Sequence, residues 1–211
     1  MEQSCAFCNP EIDQTLFGER HIGESENFHV VATKGQITDG GYVVLFPKRH
    51  VPCCATAENN PLDFAWLEYL SSRLRIGEGL VKEYSATALT IFEHGIVGQT
   101  VKHAHLHFLP AAIDMAPRIQ TDFPESKIQE FKDFSELQES YIRRQEPYLF
   151  WTTPSGKGMI CWNPPAPLQY LRIVAADLLG HPERANWRNM DPELDRRLYL
   201  ETVQRLKPYF S

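Results

Sequence analysis

Hydrophobic positions along the 211-residue chain fall into short blocks with two different periods. Residues 28–32, 42–46 and 88–92 are runs of apolar, largely β-branched or aromatic side chains, which predict three strands. The strictest alternation is His103-Ala104-His105-Leu106-His107-Phe108-Leu109-Pro110. In a strand this puts His103, His105 and His107 on one face, about 6 to 7 Å apart, with Ala104, Leu106 and Phe108 on the other. The glycine-punctuated residues 93–100 read as a connection that lets the third run pair antiparallel with the histidine strand. Between the strands, Asn60-Pro61 predicts the cap and first turn of a long helix. Leu67, Leu70 and Leu74 are its buried face, and it frays near Gly77 and Gly79 or resumes through Leu80 and Val81.

Beyond Pro110 the pattern changes. Residues 124–145 read as helical pieces burying Ile128, Phe131, Leu137 and Tyr141. Residues 148–152 and 159–162 flank a Pro-Ser-Gly-Lys-Gly turn and predict a hairpin. Pro167 starts a helix with Leu168, Leu171, Ala175 and Leu178 on one face and Gly180 at its end, and Asp191-Pro192 starts a last helix running to about Leu206. Clustered strands without regular strand–helix alternation predict an α+β fold. It comprises an antiparallel sheet with a long helix over residues 1–114 and a mixed helical and hairpin extension, residues 115–211, packed on that core.

Composition narrows the function classes. A net charge of −6 argues against nucleic-acid binding through a basic surface, while leaving small anionic substrates open. No apolar run approaches the roughly 18 residues of a membrane span. The start of the chain carries neither a basic nor an apolar leader region, so a cytoplasmic protein without nucleic-acid or membrane partners is expected. Five cysteines, an odd number, favour thiols or metal ligands over a disulfide framework. Cys5-Ala6-Phe7-Cys8 supplies half of a tetrahedral zinc site, or else a redox pair or two plain thiols. Cys53 and Cys54 read as ordinary thiols, and the aromatic residues of 148–162 as core.

Three imidazoles on one face can serve as nucleophile, general base or metal ligands, and the spacing alone does not choose. A catalytic metal held by His103 and His105, or by all three, is one arrangement. A nucleophilic histidine attacking phosphorus is the other.

The run Gly98-Gln99-Thr100-Val101-Lys102-His103-Ala104-His105-Leu106-His107-Phe108-Leu109 resembles the signature of the histidine triad superfamily of nucleotide hydrolases and transferases. It is most similar to the fragile-histidine-triad diadenosine polyphosphate hydrolases. Pro47-Lys48-Arg49-His50 and the Cys5/Cys8 pair are similar to zinc-containing bacterial members, and the resemblance covers about residues 5–112. It implies a structural zinc held by Cys5, Cys8, His50 and His103. It implies a nucleophile, His105, that forms a nucleotidyl-histidine at the α-phosphorus of a nucleotide, with His107, Gln99 and Thr100 on phosphate oxygens. Lys34, His94 and Lys102 fall near the expected substrate site. Lys34 stands where such hydrolases carry Asp or Asn for the ribose hydroxyls, and Tyr42 where histidine is common. Lys34 could pair with Glu93, and Arg172 and Lys157 could reach phosphate. The resemblance also implies a homodimer. Transfer or phosphorolysis through the same intermediate, a metal-dependent hydrolase and a nucleotide sensor without turnover are the alternatives.

Overall fold

In a computed structural model, which describes residues 4–56 and 64–211, eight strands form one sheet in which all neighbours run antiparallel. The strands are β1 (His21–Glu24), β2 (Phe28–Ala32), β3 (Val43–Pro47), β4 (Thr90–Gly95), β5 (Leu106–Leu109), β6 (Ile128–Phe131), β7 (Tyr148–Thr152) and β8 (Gly158–Trp162). Their order is β1-β2-β3-β5-β4-β7-β8-β6. Five helices complete an α+β fold: α1 (Phe64–Tyr84), α2 (Ala116–Asp122), α3 (Phe134–Arg144), α4 (Tyr170–Leu178) and α5 (Pro192–Leu206). Among the described residues no helix is long and apolar enough to cross a membrane.

Side chains alternate across the sheet and build a core on each face. Val30, Val43, Leu45, Leu106, Phe108 and Phe150 meet Tyr69, Ile76 and Leu80 of α1, Leu137 and Tyr141 of α3 and Leu206 of α5. On the other face Tyr42, Phe92, Leu149 and Trp151 meet Ile119 of α2 and Leu171, Val174 and Ala175 of α4. Covered on both sides, β3, β4 and β7 are buried along their whole length, which is why β3 and β7 are apolar without alternation, whereas β4 buries Glu93 and His94 with hydrogen-bond partners.

Several expected elements are where the periodicity put them. β2 matches its predicted run, the β7–β8 hairpin forms, β4 pairs antiparallel with β5, and Asp191 caps α5 by accepting a hydrogen bond from the Leu194 amide at 2.8 Å.

Others need correction. The expected helix cap at Asn60-Pro61 lies outside the described residues. Leu67 and Leu74 of α1 are 62% and 72% exposed, and Tyr69, Ser72, Ile76 and Leu80 form the buried stripe instead. Both sets share the 3.6-residue spacing, so only the partner surface distinguishes them. Nor does α1 fray at its glycines. A Cβ on Gly79 would stand 2.7 Å from Leu206 Cδ2, so the missing side chain is what lets α5 close on α1. The third strand begins at Thr90 and runs through Glu93 and His94, where a connection is expected, because β7 pairs along it. Ile128 and Phe131 sit on edge strand β6, not on a helix, and Leu168 and Leu178 are exposed around a helix that buries Leu171 and Ala175. Strand β1 and helix α2 carry no strong periodicity and are not anticipated.

Residues beyond 114 supply α2 to α5 and three of the eight strands, and β7 pairs directly with β4.

Candidate functional site

The histidine run is only partly a strand. β5 starts at Leu106, and ahead of it the Ala104 amide donates to the Val51 carbonyl at 2.7 Å instead of joining the ladder. The three imidazoles therefore separate. His105 and His107 remain neighbours, with ring centres 4.8 Å apart, closer than ideal strand spacing predicts, while His103 turns towards the N-terminal arm.

That arm is a series of turns. The Cys8 and Asn9 amides donate to the Cys5 carbonyl at 3.1 and 2.9 Å, which curls the Cys-x-x-Cys segment so that both sulfurs point the same way. Phe7 stacks on Phe46 of β3 at 4.2 Å and seats the curl on the sheet. Cys5 Sγ lies 3.5 Å from His103 Nδ1, and Cys8 Sγ lies 3.4 Å from the same atom and 3.3 Å from His50 Nδ1. All four ligand atoms are within 4.8 Å of one another, close enough to bind one metal ion. A tetrahedral ion with metal–sulfur and metal–nitrogen distances of about 2.3 and 2.0 Å has sulfur–nitrogen edges of about 3.5 Å. The observed separations fit such an ion. His103 Nε2 donates to the Pro47 carbonyl at 2.8 Å, which leaves Nδ1 as the lone-pair atom facing the sulfurs.

A second titratable cluster, His21, Glu24 and His29, lies on the β1–β2 hairpin. There Lys48 Nζ sits 3.0 Å from the Glu24 carboxylate, an ammonium already in the place a cation would take.

His105 and His107 open onto a cleft of about 360 Å³, lined also by Phe7, Lys34, Thr100 and Arg172. His105 Nδ1 donates to the His103 carbonyl at 2.7 Å. A carbonyl only accepts, so the proton is on Nδ1 and Nε2 carries the free lone pair. His107 Nδ1 lies 2.7 Å from the Tyr42 hydroxyl, and Phe92 stacks on its ring at 4.4 Å. Burial pushes the pKa of both imidazoles below the ordinary histidine value, so both are neutral at pH 7.

Of the other expected substrate residues, Thr100 and Lys34 line the cleft. Lys34 Nζ pairs with Asp13 at 3.0 Å and not with Glu93, which is fully buried. Glu93 instead accepts from the Cys54 amide and the Tyr148 hydroxyl, each at 2.7 Å, and desolvation raises its pKa to about 7. Gln99 is buried and its amide donates to the Pro52 carbonyl at 2.8 Å. His94 sits edge-on against the His107 ring, away from the cleft lining, and its Nε2 accepts from the Leu171 amide at 3.0 Å. Lys102 is exposed and does not line the cleft. Lys157 pairs with Glu130 on the β8 side of the sheet.

The cleft also has walls that periodicity could not indicate. Arg20 and Asp13 come from the N-terminal turns, and Gln169, Arg172, Trp187 and Arg188 from the C-terminal half. Arg172 is 5% exposed and holds its guanidinium by donating to the carbonyls of Gly35 at 2.9 Å and Ala185 at 3.3 Å. Gly35 is the one local signal. Its φ is +71°, and a Cβ there would lie 2.4 Å from Trp187 and 2.7 Å from Arg172, so this wall requires glycine. The lining thus holds Arg20, Lys34, Arg172 and Arg188 against a single carboxylate, Asp13, a balance suited to an anion.

No family model matches the chain, and no curated protein matches it. Among solved structures it is similar to a HIT-like protein involved in cell-cycle regulation from Bartonella henselae, at 17% identity over 52% of this chain and 79% of that one, TM-score 0.40. A hypothetical histidine triad nucleotide-binding protein from Sulfolobus tokodaii is 24% identical over 51% of this chain and 68% of its own, TM-score 0.37. A Streptococcus mutans protein is 23% identical over 67% and 83%, TM-score 0.41. Overlays this shallow leave the chemistry of the site to be read from its own residues.

Proposed function

We propose that the protein is a histidine triad nucleotide hydrolase with a structural zinc. The observation that carries this reading is the His105 Nδ1 hydrogen bond to the His103 carbonyl at 2.7 Å, which leaves a neutral Nε2 lone pair beside a cationic cleft. In the reaction, His105 Nε2 attacks the α-phosphorus. The bond from phosphorus to the leaving oxygen or nitrogen breaks as the N–P bond forms, and the leaving atom takes up a proton from solvent. Water then attacks the same phosphorus and gives up a proton to solvent, and the N–P bond breaks to release the nucleoside monophosphate and return the lone pair to His105 Nε2.

His107, Thr100, Lys34 and Arg172 are assigned to the phosphoryl oxygens, where negative charge is stabilised as the substrate reacts. Gln99, tied to Pro52, is assigned to holding the preceding turn, and His94 to packing behind His107. Lys102, exposed on the approach, is assigned to electrostatic attraction of the anion.

Cys5, Cys8, His50 and His103 would hold the zinc. Four protein ligands complete a tetrahedron, so the ion's chemistry here is to cross-link the arm to the sheet. This favours the nucleophilic reading over three catalytic metal ligands, since His103 Nδ1 faces the sulfurs and His105 Nδ1 is tied to a carbonyl. A homodimer belongs to the same reading through the sequence resemblance.

Incubation with diadenosine tetraphosphate and with adenosine phosphoramidate, followed by rapid alkaline quenching, which preserves an acid-labile N–P bond, and mass spectrometry of the protein, tests it. The expected result is turnover, with an adenylyl adduct on the peptide containing His105 and loss of both in His105→Ala. Full turnover by that variant overturns the assignment. Added inorganic phosphate reports whether the intermediate is passed to an acceptor other than water.

A further inference from the structure

The hydroxyl of Tyr42 is buried and meets His107. Its proton must go somewhere, because a buried donor left unpaired costs more than a typical hydrogen bond contributes. The Arg172 guanidinium lies 5.2 Å from the centre of the Tyr42 ring and interacts with its oxygen. A guanidinium has donors only. It can therefore satisfy a lone pair of the phenol oxygen and cannot take the phenol proton. Desolvation pushes the Tyr42 pKa up to about 12, so the phenol keeps that proton at neutral pH. Among the described residues, the acceptor within reach is His107 Nδ1 at 2.7 Å.

We propose that Tyr42 is a positioning residue that fixes His107 as the tautomer with its proton on Nε2, leaving an N–H for the cleft. Phe92, stacked on the His107 ring at an interplanar angle of 14°, keeps the ring in the plane that this hydrogen bond requires.

The three histidines then alternate in tautomer as well as in sequence. His103 is protonated at Nε2 by its bond to the Pro47 carbonyl, His105 at Nδ1 by the His103 carbonyl, and His107 at Nε2 by the Tyr42 hydroxyl. Neighbouring rings of one residue type thus present opposite chemistry: a lone pair at His105 Nε2 and a donor at His107 Nε2. A phosphoryl group needs both at once, a nucleophile for phosphorus and a donor for its oxygens. Tyr42 keeps its proton throughout the neutral range, so the donor state of His107 is held by a group that does not titrate near pH 7. The catalytic significance rests on the hydrolase reading above, whereas the tautomer does not.

Long-range proton–nitrogen spectra of the full-length protein labelled with ¹⁵N-histidine test this directly, with the His107 signals identified by their loss in His107→Asn. The wild-type protein is expected to show His107 protonated at Nε2 with a hydrogen-bonded, unprotonated Nδ1. Tyr42→Phe, which keeps the buried ring, is expected to shift that Nδ1 resonance and leave the His103 signals in place. With a nucleotide substrate, its kcat should fall roughly tenfold, the worth of one buried hydrogen bond, while KM changes by less than about twofold. A wild-type His107 protonated at Nδ1, an unmoved Nδ1 resonance in Tyr42→Phe or an unchanged kcat overturns the proposal. Failure of the hydrolase reading looks different, because the spectra would keep the expected tautomer while no nucleotide is turned over.

Discussion

At the scale of single residues, burial determines which groups change charge near neutrality. Glu93 illustrates this best. Among the described residues it has no cationic partner, and the hydrogen bonds that its carboxylate accepts from the Cys54 amide and side chain and from the Tyr148 hydroxyl do not offset the cost of desolvation, so it titrates at about 7 and not at its ordinary 4.5. The folded state therefore holds a proton that the unfolded chain releases. Between about pH 4.5 and pH 7 the folded Glu93 keeps a proton that its unfolded counterpart has released, so the contribution of this group to stability falls as pH rises. We expect Glu93 to account for a loss of roughly 3 kcal/mol across this window. Urea unfolding of wild type and Glu93→Gln at pH 5 and pH 8 checks it, with the wild type losing roughly 3 kcal/mol relative to the variant between the two values, because the buried histidines contribute equally to both proteins. The residue type and its neighbours in sequence carry no sign of this, since Cys54 and Tyr148 reach Glu93 from 39 and 55 positions away.

At the scale of elements, the N-terminal arm is the segment with the least regular structure and the most dependence on one cluster. It lacks a strand until His21, and its first turns meet the sheet through the Phe7 stack on Phe46 together with Cys5 and Cys8 against His50 and His103, with Leu16 and Arg20 anchoring the turns that follow. A tetrahedral ion joining these groups contributes directly to folding. Cys8→Ser is expected to lower bound zinc from about one ion per chain to near zero. It should also lower the melting temperature by on the order of 10 °C, as a loss of roughly 3 kcal/mol does in a domain of this size. Metal analysis with differential scanning calorimetry measures both. Helix α1 makes the complementary point. Its leucine stripe and its Tyr69–Ile76–Leu80 stripe have the same period, and the sheet and α5 select the second because Gly79 lets Leu206 approach.

At the scale of the whole molecule, the two halves of the chain share one sheet and one cleft. β4 is buried along all six residues, and on one edge its ladder partner is β7, from beyond residue 114. Residues 1–114 alone would expose that ladder and the apolar face that α4 covers, an edge prone to pair with other chains. Expressed by themselves they are expected to aggregate or to lack cooperative unfolding, as circular dichroism and size exclusion would report. Sequence periodicity was sufficient for β2, the β7–β8 hairpin, the start of α5 and the α+β class, because each is a local pattern of burial or capping. The spacing of the histidines and of Cys5 and Cys8 singled out residues that the fold brings together, and left their roles open. Only the tertiary structure decided which nitrogens of His103 and His105 face a carbonyl, that Lys34 pairs with Asp13, and that Arg172 and Trp187 wall the cleft. Proton positions and charge pairs depend on which carbonyl or side chain lies within 3 Å, and those partners come from segments far apart in the chain, brought together only by closing the sheet.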